Sequence, residues 1–301
     1  MTTTTTPTAA EPPVGEFFAL GPDGTRLYAR RRVGPSPVTA VLCDGICCDG
    51  FIYKYLWEDL ARTLSVVHWN YRGHGRSAQP QNPTQIDVPD HAADLDAVRR
   101  RVGDPPVVLV GHSFGTQVAL EAYRLRPEKI RGMVFLCGSF GRVTHYFKGT
   151  DTLANVLPRL RELSANHPKV ARALWSRVPP RMALKIGLLT GDLDSRTVRP
   201  EDVEPYFRHV AHIDFPMFVK MLEHAGEHSA EDLLPHIDIP VLVIAGDRDS
   251  FTPPELSRRM ADAMPQAELV MLPGGTHVAP LEQNELVALR IEKFLSDCGA
   301  V

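Results

Sequence analysis

A serine flanked by glycines, in the string GHSFG (residues 111–115), lies between a short apolar run and a stretch with helical spacing. This arrangement matches G-x-S-x-G, in which a sharp strand-to-helix turn raises a serine hydroxyl above the edge of a sheet. Glycines two residues to either side remove the Cβ atoms that would clash in so tight a turn. The pattern therefore predicts Ser113 as a nucleophile rather than as part of an ordinary turn.

A serine hydroxyl is a weak nucleophile, so it needs a histidine as base and an acid to orient that histidine. Turns of this type are followed along the chain first by the acid and then by the histidine. The string GDRDSFTP offers Asp247 and Asp249, and GGTHVAPLE offers His277. Each string directly follows a strand-like run, and the carboxyl ends of parallel strands meet at one edge of a sheet. We therefore expect Ser113, one of the two aspartates and His277 to converge.

Eight short runs, most of them apolar and β-branched, predict the strands that must position these residues. The runs are Glu16–Leu20, Arg26–Arg32, Val38–Cys43, Leu64–Asn70, Pro106–Gly111, Gly132–Cys137, Pro240–Gly246 and Ala267–Gly274. Helical patterns separate most of them, and such alternation is typical of a doubly wound α/β sheet. The sequence therefore predicts a doubly wound, mostly parallel, eight-stranded α/β sheet.

One long interval, between Cys137 and Pro240, lacks any convincing strand pattern and instead shows several short helical patterns. We interpret residues 140–229 as a helical cap or lid inserted into a core domain formed by residues 14–139 and 230–301. Residues 1–13 are polar, low in complexity and rich in threonine, and such a segment cannot bury enough apolar surface to fold. We expect a disordered tail there.

The composition is that of a soluble globular protein, with 44% hydrophobic and 23% charged residues and a formal net charge of −3. Without a basic, aromatic-rich block, a nucleic-acid partner is not expected. No apolar run approaches the roughly 20 residues that span a bilayer, and the N-terminus lacks signal-peptide features. These observations predict a cytoplasmic protein without a membrane partner, and they leave a homodimer open.

Three of the five cysteines, Cys43, Cys47 and Cys48, cluster in the string VLCDGICCDG. Zinc sites need a second Cys pair or a His pair at suitable spacing, and none follows nearby. An odd number of irregularly spaced thiols also does not predict a disulfide framework. Small loop-filling residues are therefore favoured over a metal site or a redox switch, and we expect neither a metal nor a cofactor.

The sequence resembles the α/β-hydrolase fold family from about Val14 to Cys298. The strings that carry the resemblance are DGICCDGF, NYRGHGRS, GHSFG, GDRDSFTP and GGTHVAPLE. In this family the acid commonly stands in a G-x-x-D-x-x-x-P loop, which implies Asp249 rather than Asp247. The resemblance also implies an oxyanion hole formed by the backbone N–H groups of Phe114 and Ile46. Asp44 departs from the family's usual histidine, and we expect it to turn away and accept hydrogen bonds from its own loop.

The resemblance implies a cofactor-independent serine hydrolase that cleaves an ester or related acyl bond of a small, partly hydrophobic substrate through an acyl-enzyme. The expected substrate-pocket residues are Cys47, His112, Phe140, Trp175, Phe218 and Val278. The same catalytic residues also serve proline-iminopeptidase-like aminopeptidases, acyltransferases, lactonases and C–C bond hydrolases. A catalytically silent ligand-binding protein is the alternative from another class.

Overall fold

The computed structural model describes residues 14–301 apart from 176 and 178. The predicted tail, residues 1–13, lies outside the described residues. In the described part the chain builds one sheet of eight strands, and all eight predicted runs contribute to it. The strands are β1 (Gly15–Leu20), β2 (Arg26–Arg32), β3 (Thr39–Cys43), β4 (Ser65–Trp69), β5 (Val107–His112), β6 (Ile130–Leu136), β7 (Val241–Gly246) and β8 (Ala267–Leu272).

The sheet has the order β1-β2-β4-β3-β5-β6-β7-β8. The strands β1 and β2 run antiparallel to their neighbours, while the remaining strands pair in parallel. Every residue of β3, β4, β5 and β7 is buried, which explains why these strands are continuous apolar runs in the sequence. The predicted doubly wound, mostly parallel sheet is thus confirmed.

Helices cover both faces of the sheet and bury two separate apolar cores. The helices of the core domain are α1 (Lys54–Ala61), α2 (Val88–Arg101), α3 (Phe114–Leu125), α10 (Pro254–Ala263), α11 (Ala279–Glu282) and α12 (Asn284–Asp297). Apolar side chains of α2, α3 and α10 fill one core, and those of α1 and α12 fill the other. No helix among the described residues is long and apolar enough to span a membrane.

Between β6 and β7 the described residues form six α-helices and no strand. They are α4 (Val143–Tyr146), α5 (Thr152–Asn166), α6 (Pro168–Trp175), α7 (Pro180–Thr190), α8 (Pro200–Val210) and α9 (Phe215–Glu227). This group, called the cap below, leaves and rejoins the core at adjacent points, where Gly141 and Ser229 form an antiparallel bridge. At the same place His228 contacts α3 through Gln117, 3.0 Å away, and Glu121, also 3.0 Å away. The base of the cap is therefore tied to the helix that follows Ser113.

Candidate active site

Ser113 lies at the sharp turn between β5 and α3, with a φ of 52° and a ψ of −117°. A positive φ is strained for a residue with a side chain, and such strain is concentrated at functional sites. A Cβ atom at Gly111 would lie 2.5 Å from the carbonyl oxygen of Gly115, and one at Gly115 would lie 2.0 Å from that of Cys43. The two flanking glycines are therefore required by the close approach of the turn to itself and to β3.

The structure brings the three side chains predicted to act together into one hydrogen-bonded row. The hydroxyl oxygen of Ser113 lies 3.0 Å from Nε2 of His277. On the other side of the imidazole, Nδ1 lies 2.9 Å from Oδ2 and 3.1 Å from Oδ1 of Asp249. These are the contacts by which a base accepts a serine proton while a carboxylate fixes its tautomer.

The two candidate aspartates have different surroundings. Asp249 is buried, and it accepts hydrogen bonds from the backbone N–H groups of Phe251 at 2.8 Å and Thr252 at 3.0 Å. The hydroxyl of Thr252 lies 2.8 Å from its Oδ2. Asp247 is exposed and accepts a hydrogen bond from the backbone N–H of Gly274 at 2.7 Å. The structure thus places Asp249 at the imidazole and Asp247 in a loop contact.

His277 is held by two further aromatic residues. The ring of Phe251 stacks on the imidazole, with centroids 4.8 Å apart and planes 18° from parallel. His112 donates from Nε2 to the backbone carbonyl of His277 over 3.0 Å. Burial lowers the pKa of His112 to about 3, so its imidazole stays neutral at physiological pH. His112 therefore links the serine turn to the histidine loop without adding a charge.

The loop after β3 approaches the serine closely, since a Cβ atom at Gly45 would lie 3.4 Å from that of Ser113. Two backbone N–H groups of this loop are engaged: Cys47 donates to Nε2 of His74 over 3.3 Å, and Cys48 donates to the Gly45 carbonyl. Among the described residues, the backbone N–H groups of Ile46 and Phe114 have no hydrogen-bond acceptor. Unused donors beside a nucleophile suit a developing oxyanion.

Asp44 turns away from the serine, but its contacts differ from the expectation. Its Oδ2 lies 2.7 Å from Nε2 of His68, a buried residue of β4, whereas hydrogen bonds from its own loop were predicted. Its backbone carbonyl accepts a hydrogen bond from the Tyr71 hydroxyl at 2.8 Å. The predicted loop contacts are therefore wrong, because a buried imidazole on the neighbouring strand provides the partner.

The clustered cysteines are unsuited to nucleophilic chemistry. Cys43, Cys47 and Cys48 are all buried. Burial raises the pKa of the Cys43 thiol to about 12 and raises the pKa values of Cys47 and Cys48 as well. Because the thiolate is the reactive form, these thiols are inert at neutral pH.

An apolar cavity of about 650 Å³ lies between the serine and the cap. The sequence-predicted pocket residues His112, Trp175, Phe218 and Val278 line it, as do Ser113 and His277. Phe218 stacks on Trp175 at 5.4 Å between ring centroids, and the indole N–H of Trp175 donates to the Val210 carbonyl. Trp175 and Phe218 therefore give part of the cavity wall an aromatic surface, and the indole N–H of Trp175 is already hydrogen bonded.

Two predicted pocket residues, Cys47 and Phe140, are not among the residues that line this cavity. Cys47, which has a φ of 62°, is packed in one of the two apolar cores. Phe140 is buried in the same core, and the Arg259 guanidinium lies 5.4 Å from its ring centroid. These two assignments are corrected. Sequence reasoning also missed Phe251, although its place two residues after Asp249 is a usable signal.

Asp192 is the only Asp or Glu among the described residues that line the cavity. It is already engaged: Lys148 Nζ lies 2.8 Å from its Oδ2 and the Ser250 hydroxyl donates to Oδ1 over 2.7 Å. The Thr190 hydroxyl donates to the same Oδ2 over 2.6 Å. These contacts lower the pKa of Asp192 against the effect of its burial. The cavity therefore offers no unpaired anion to a bound substrate.

The sheet, the strained serine turn and the residues brought to its edge define the α/β-hydrolase class. A family model described as the alpha/beta hydrolase fold matches residues 41–283, and the chain belongs to this family.

Several curated relatives align with most of the chain. A polyketide synthase, ThaQ of Burkholderia thailandensis, is 27% identical over 92% of this chain, although the chain spans only 12% of that protein. A proline iminopeptidase, PfmaB of Pestalotiopsis fici, is 25% identical over 79% of this chain and 84% of its own length. A pimeloyl-[acyl-carrier protein] methyl ester esterase of Neisseria meningitidis is 27% identical over 90% of this chain and 98% of its own.

Solved structures share the same fold. An esterase from Exiguobacterium antarcticum superposes with a TM-score of 0.75 and 18% identity, covering 93% of this chain and 98% of its own. At this level of identity the likeness establishes the fold alone.

Proposed function

We propose that the protein is a serine hydrolase that cleaves an ester or thioester of an apolar acyl chain through an acyl-enzyme. The observation that carries the proposal is the 3.0 Å contact between the Ser113 hydroxyl and His277 Nε2 at the floor of an apolar cavity. A silent ligand receptor would have no need of the strained serine backbone or of the buried Asp249 behind the imidazole.

In the proposed reaction the Ser113 oxygen attacks the substrate carbonyl as its proton passes to His277 Nε2. The N–H groups of Ile46 and Phe114 stabilise the resulting oxyanion, and Asp249 stabilises the imidazolium. The imidazolium then gives its proton to the departing alkoxide or thiolate, which leaves Ser113 acylated. Water repeats the sequence with His277 as base, releasing the carboxylic acid and restoring the serine.

The preference for an apolar acyl chain follows from the cavity. Its volume of about 650 Å³ lies within the roughly 300–1,000 Å³ of small-molecule sites, and aromatic and aliphatic side chains form most of its wall. Asp192, which is the one carboxylate among the described residues that line the cavity, forms an ion pair with Lys148. A free-amine substrate would lack an anionic partner, which disfavours a proline-iminopeptidase-like activity.

The test measures kcat/KM for p-nitrophenyl esters from acetate to decanoate and for prolyl-p-nitroanilide, with Ser113→Ala as the matched control. We expect turnover of esters with a preference for medium or long chains, no measurable anilide cleavage, and loss of activity in the variant. Preference for the anilide, or unchanged ester turnover by Ser113→Ala, would contradict the proposal.

A further inference from the structure

Positive charge is concentrated in one part of the cap. Residues 152–191 contain seven Lys or Arg and one Glu, a net charge of +6, so the rest of the chain, with −3 overall, sums to −9. All seven basic side chains are exposed. Among the described residues, Arg161 forms an ion pair with Glu223 and Arg172 with Asp214, and the other five have no acidic partner. A surface with this excess of positive charge favours association with a polyanionic partner.

The cavity reaches the surface within this basic region. Of its described lining residues, Ile186 of α7 alone is exposed, with 51% of its surface accessible. Met182 and Leu189 stand at helical spacing on either side of it, 47% and 86% exposed. A contiguous exposed apolar stripe of this kind marks a contact surface. Arg181 and Lys185 are exposed beside the stripe, so cations adjoin the apolar entrance.

A second feature lies on the outer side of the cap, where a groove of about 490 Å³ is lined by residues of α5 and α9. Three cations, Arg159, Arg161 and Lys220, meet in it beside one acid, Glu162. Such a concavity can receive protruding carboxylate side chains, whereas a flat lipid surface cannot enter it. The shape therefore favours an acidic protein over an anionic membrane as the partner of this groove.

We propose that the exposed basic residues of α5, α6 and α7 dock an acidic protein that presents the acyl chain at the entrance beside Ile186. This inference rests on the proposed function, since the docked chain would extend through the apolar cavity to Ser113. The docking partner would be an acyl carrier protein, whose Asp- and Glu-rich surface complements the seven cations. One relative, the pimeloyl-[acyl-carrier protein] methyl ester esterase, is named for a substrate of this kind.

The test compares octanoyl-acyl carrier protein with octanoyl-pantetheine, which has the same thioester without the protein. The variant Arg181→Glu/Lys185→Glu reverses two cations beside the entrance, neither of which lines the cavity. The control, Arg131→Glu/Arg290→Glu, makes the same charge change at exposed positions of the core domain. For the wild type we expect kcat/KM to be at least 10-fold higher on the carrier substrate, and to fall as salt is raised.

The entrance variant should lose about 10-fold in kcat/KM on the carrier substrate and keep its rate on octanoyl-pantetheine, whereas the control variant should keep both. Equal rates on the two substrates in the wild type, or equal losses in the two variants, would overturn the proposal. Should the charge-reversed protein not fold, Arg181→Gln/Lys185→Gln replaces it, with a smaller loss expected.

Two further measurements separate the alternatives. Binding of fluorescently labelled, unacylated carrier protein to Ser113→Ala reports docking even if no ester is hydrolysed, so failure of the proposed function and failure of docking are distinguishable. Flotation with vesicles that contain equal amounts of phosphatidylcholine and phosphatidylglycerol tests whether the basic residues bind an anionic membrane instead. Vesicle binding that is lost in the entrance variant, together with no binding of the carrier, would overturn the proposal in favour of a lipid surface.

Discussion

The two walls of the cavity are built in different ways. On the core side, the acid and the histidine next to Ser113 have fixed partners: Asp249 accepts two backbone N–H groups, and His112 donates to the His277 carbonyl. On the cap side, aromatic rings such as Trp175 and Phe218 stack on one another and present apolar surface. Hydrogen bonds therefore fix the reacting groups, while the cap contributes shape and apolar area.

This difference implies that the two walls of the cavity have separate roles in catalysis and in substrate selection. If the proposed reaction is correct, changes on the core side should affect all substrates alike, because they alter the transition state of acyl transfer. Changes on the cap side should affect substrates according to the length of their acyl chains, because in the proposed complex the cap contacts the chain rather than the carbonyl.

The largest effect is expected when the acid behind the imidazole is neutralised. Asp249→Asn should lower kcat/KM about 10⁴-fold on every ester, because an amide no longer holds the imidazole in the tautomer that accepts a serine proton. Asp247→Asn is the matched control, since Asp247 is exposed and its carboxylate accepts a hydrogen bond from the backbone N–H of Gly274. Steady-state kinetics check this, and comparable losses in both variants would refute the assignment of Asp249.

A smaller core-side effect is expected at His112. His112→Leu removes the donor to the His277 carbonyl and should lower kcat/KM about 30-fold, which corresponds to about 2 kcal/mol for an unsatisfied buried acceptor. His112→Gln keeps an N–H donor at a similar position and should retain most of the activity. The loss should be the same for butanoate and decanoate esters. A loss restricted to the long ester would place His112 among the groups that contact the chain.

On the cap side, Ala183→Phe fills part of the cavity near its entrance, since Ala183 is a half-buried lining residue of α7. We expect kcat/KM for p-nitrophenyl decanoate to fall about 10-fold relative to the acetate. The control is Ala165→Phe, which places the same side chain on the exposed face of α5. An equal loss of kcat/KM on short and long esters would contradict the proposal that the two walls have separate roles.

The last expectation concerns stability in acid rather than activity. Burial lowers the pKa of His74 to about 4 and that of His112 to about 3, and it lowers that of His91 as well. In the unfolded chain each imidazole takes up a proton near pH 6.5. From about pH 6.5 down to pH 4 the unfolded state therefore binds more protons, so the free energy of unfolding decreases as the pH falls.

His74 and His112 should each cost about 2 kcal/mol of stability between about pH 7.5 and pH 4.5. Urea titrations of the wild type and His112→Gln at both pH values measure this. Because glutamine does not titrate, the variant should lose about 2 kcal/mol less than the wild type. An identical loss in both proteins would show that His112 does not carry this pH dependence.

Much of the fold was predictable because its signals are local. Strands buried on both faces are mostly apolar along their whole length, so β3, β4, β5 and β7 stand out in the sequence, and the flanking glycines indicate the serine turn. The structure brings Ser113, Asp249 and His277 together because the strands that carry them end at the same edge of the sheet.

The contacts that sequence reasoning missed depend on packing between distant segments. The partner of Asp44 is His68, which only the pairing of β3 with β4 brings near. Phe140 lies next to the cap in sequence, yet it turns into the core beneath Arg259. Neither side-chain direction is encoded by residue type or spacing, because each is set by the neighbour that fills the adjacent space.

Covalent labelling tests the central claim most directly, namely that Ser113 is a nucleophile activated by His277. The wild-type protein and Ser113→Ala would be treated with an alkyl fluorophosphonate, which phosphonylates an activated serine with loss of fluoride, and analysed by intact mass and peptide mapping. We expect one adduct on the wild type, located on Ser113, and none on the variant. An adduct on Ser113→Ala, or a wild-type adduct on another residue, would contradict the account.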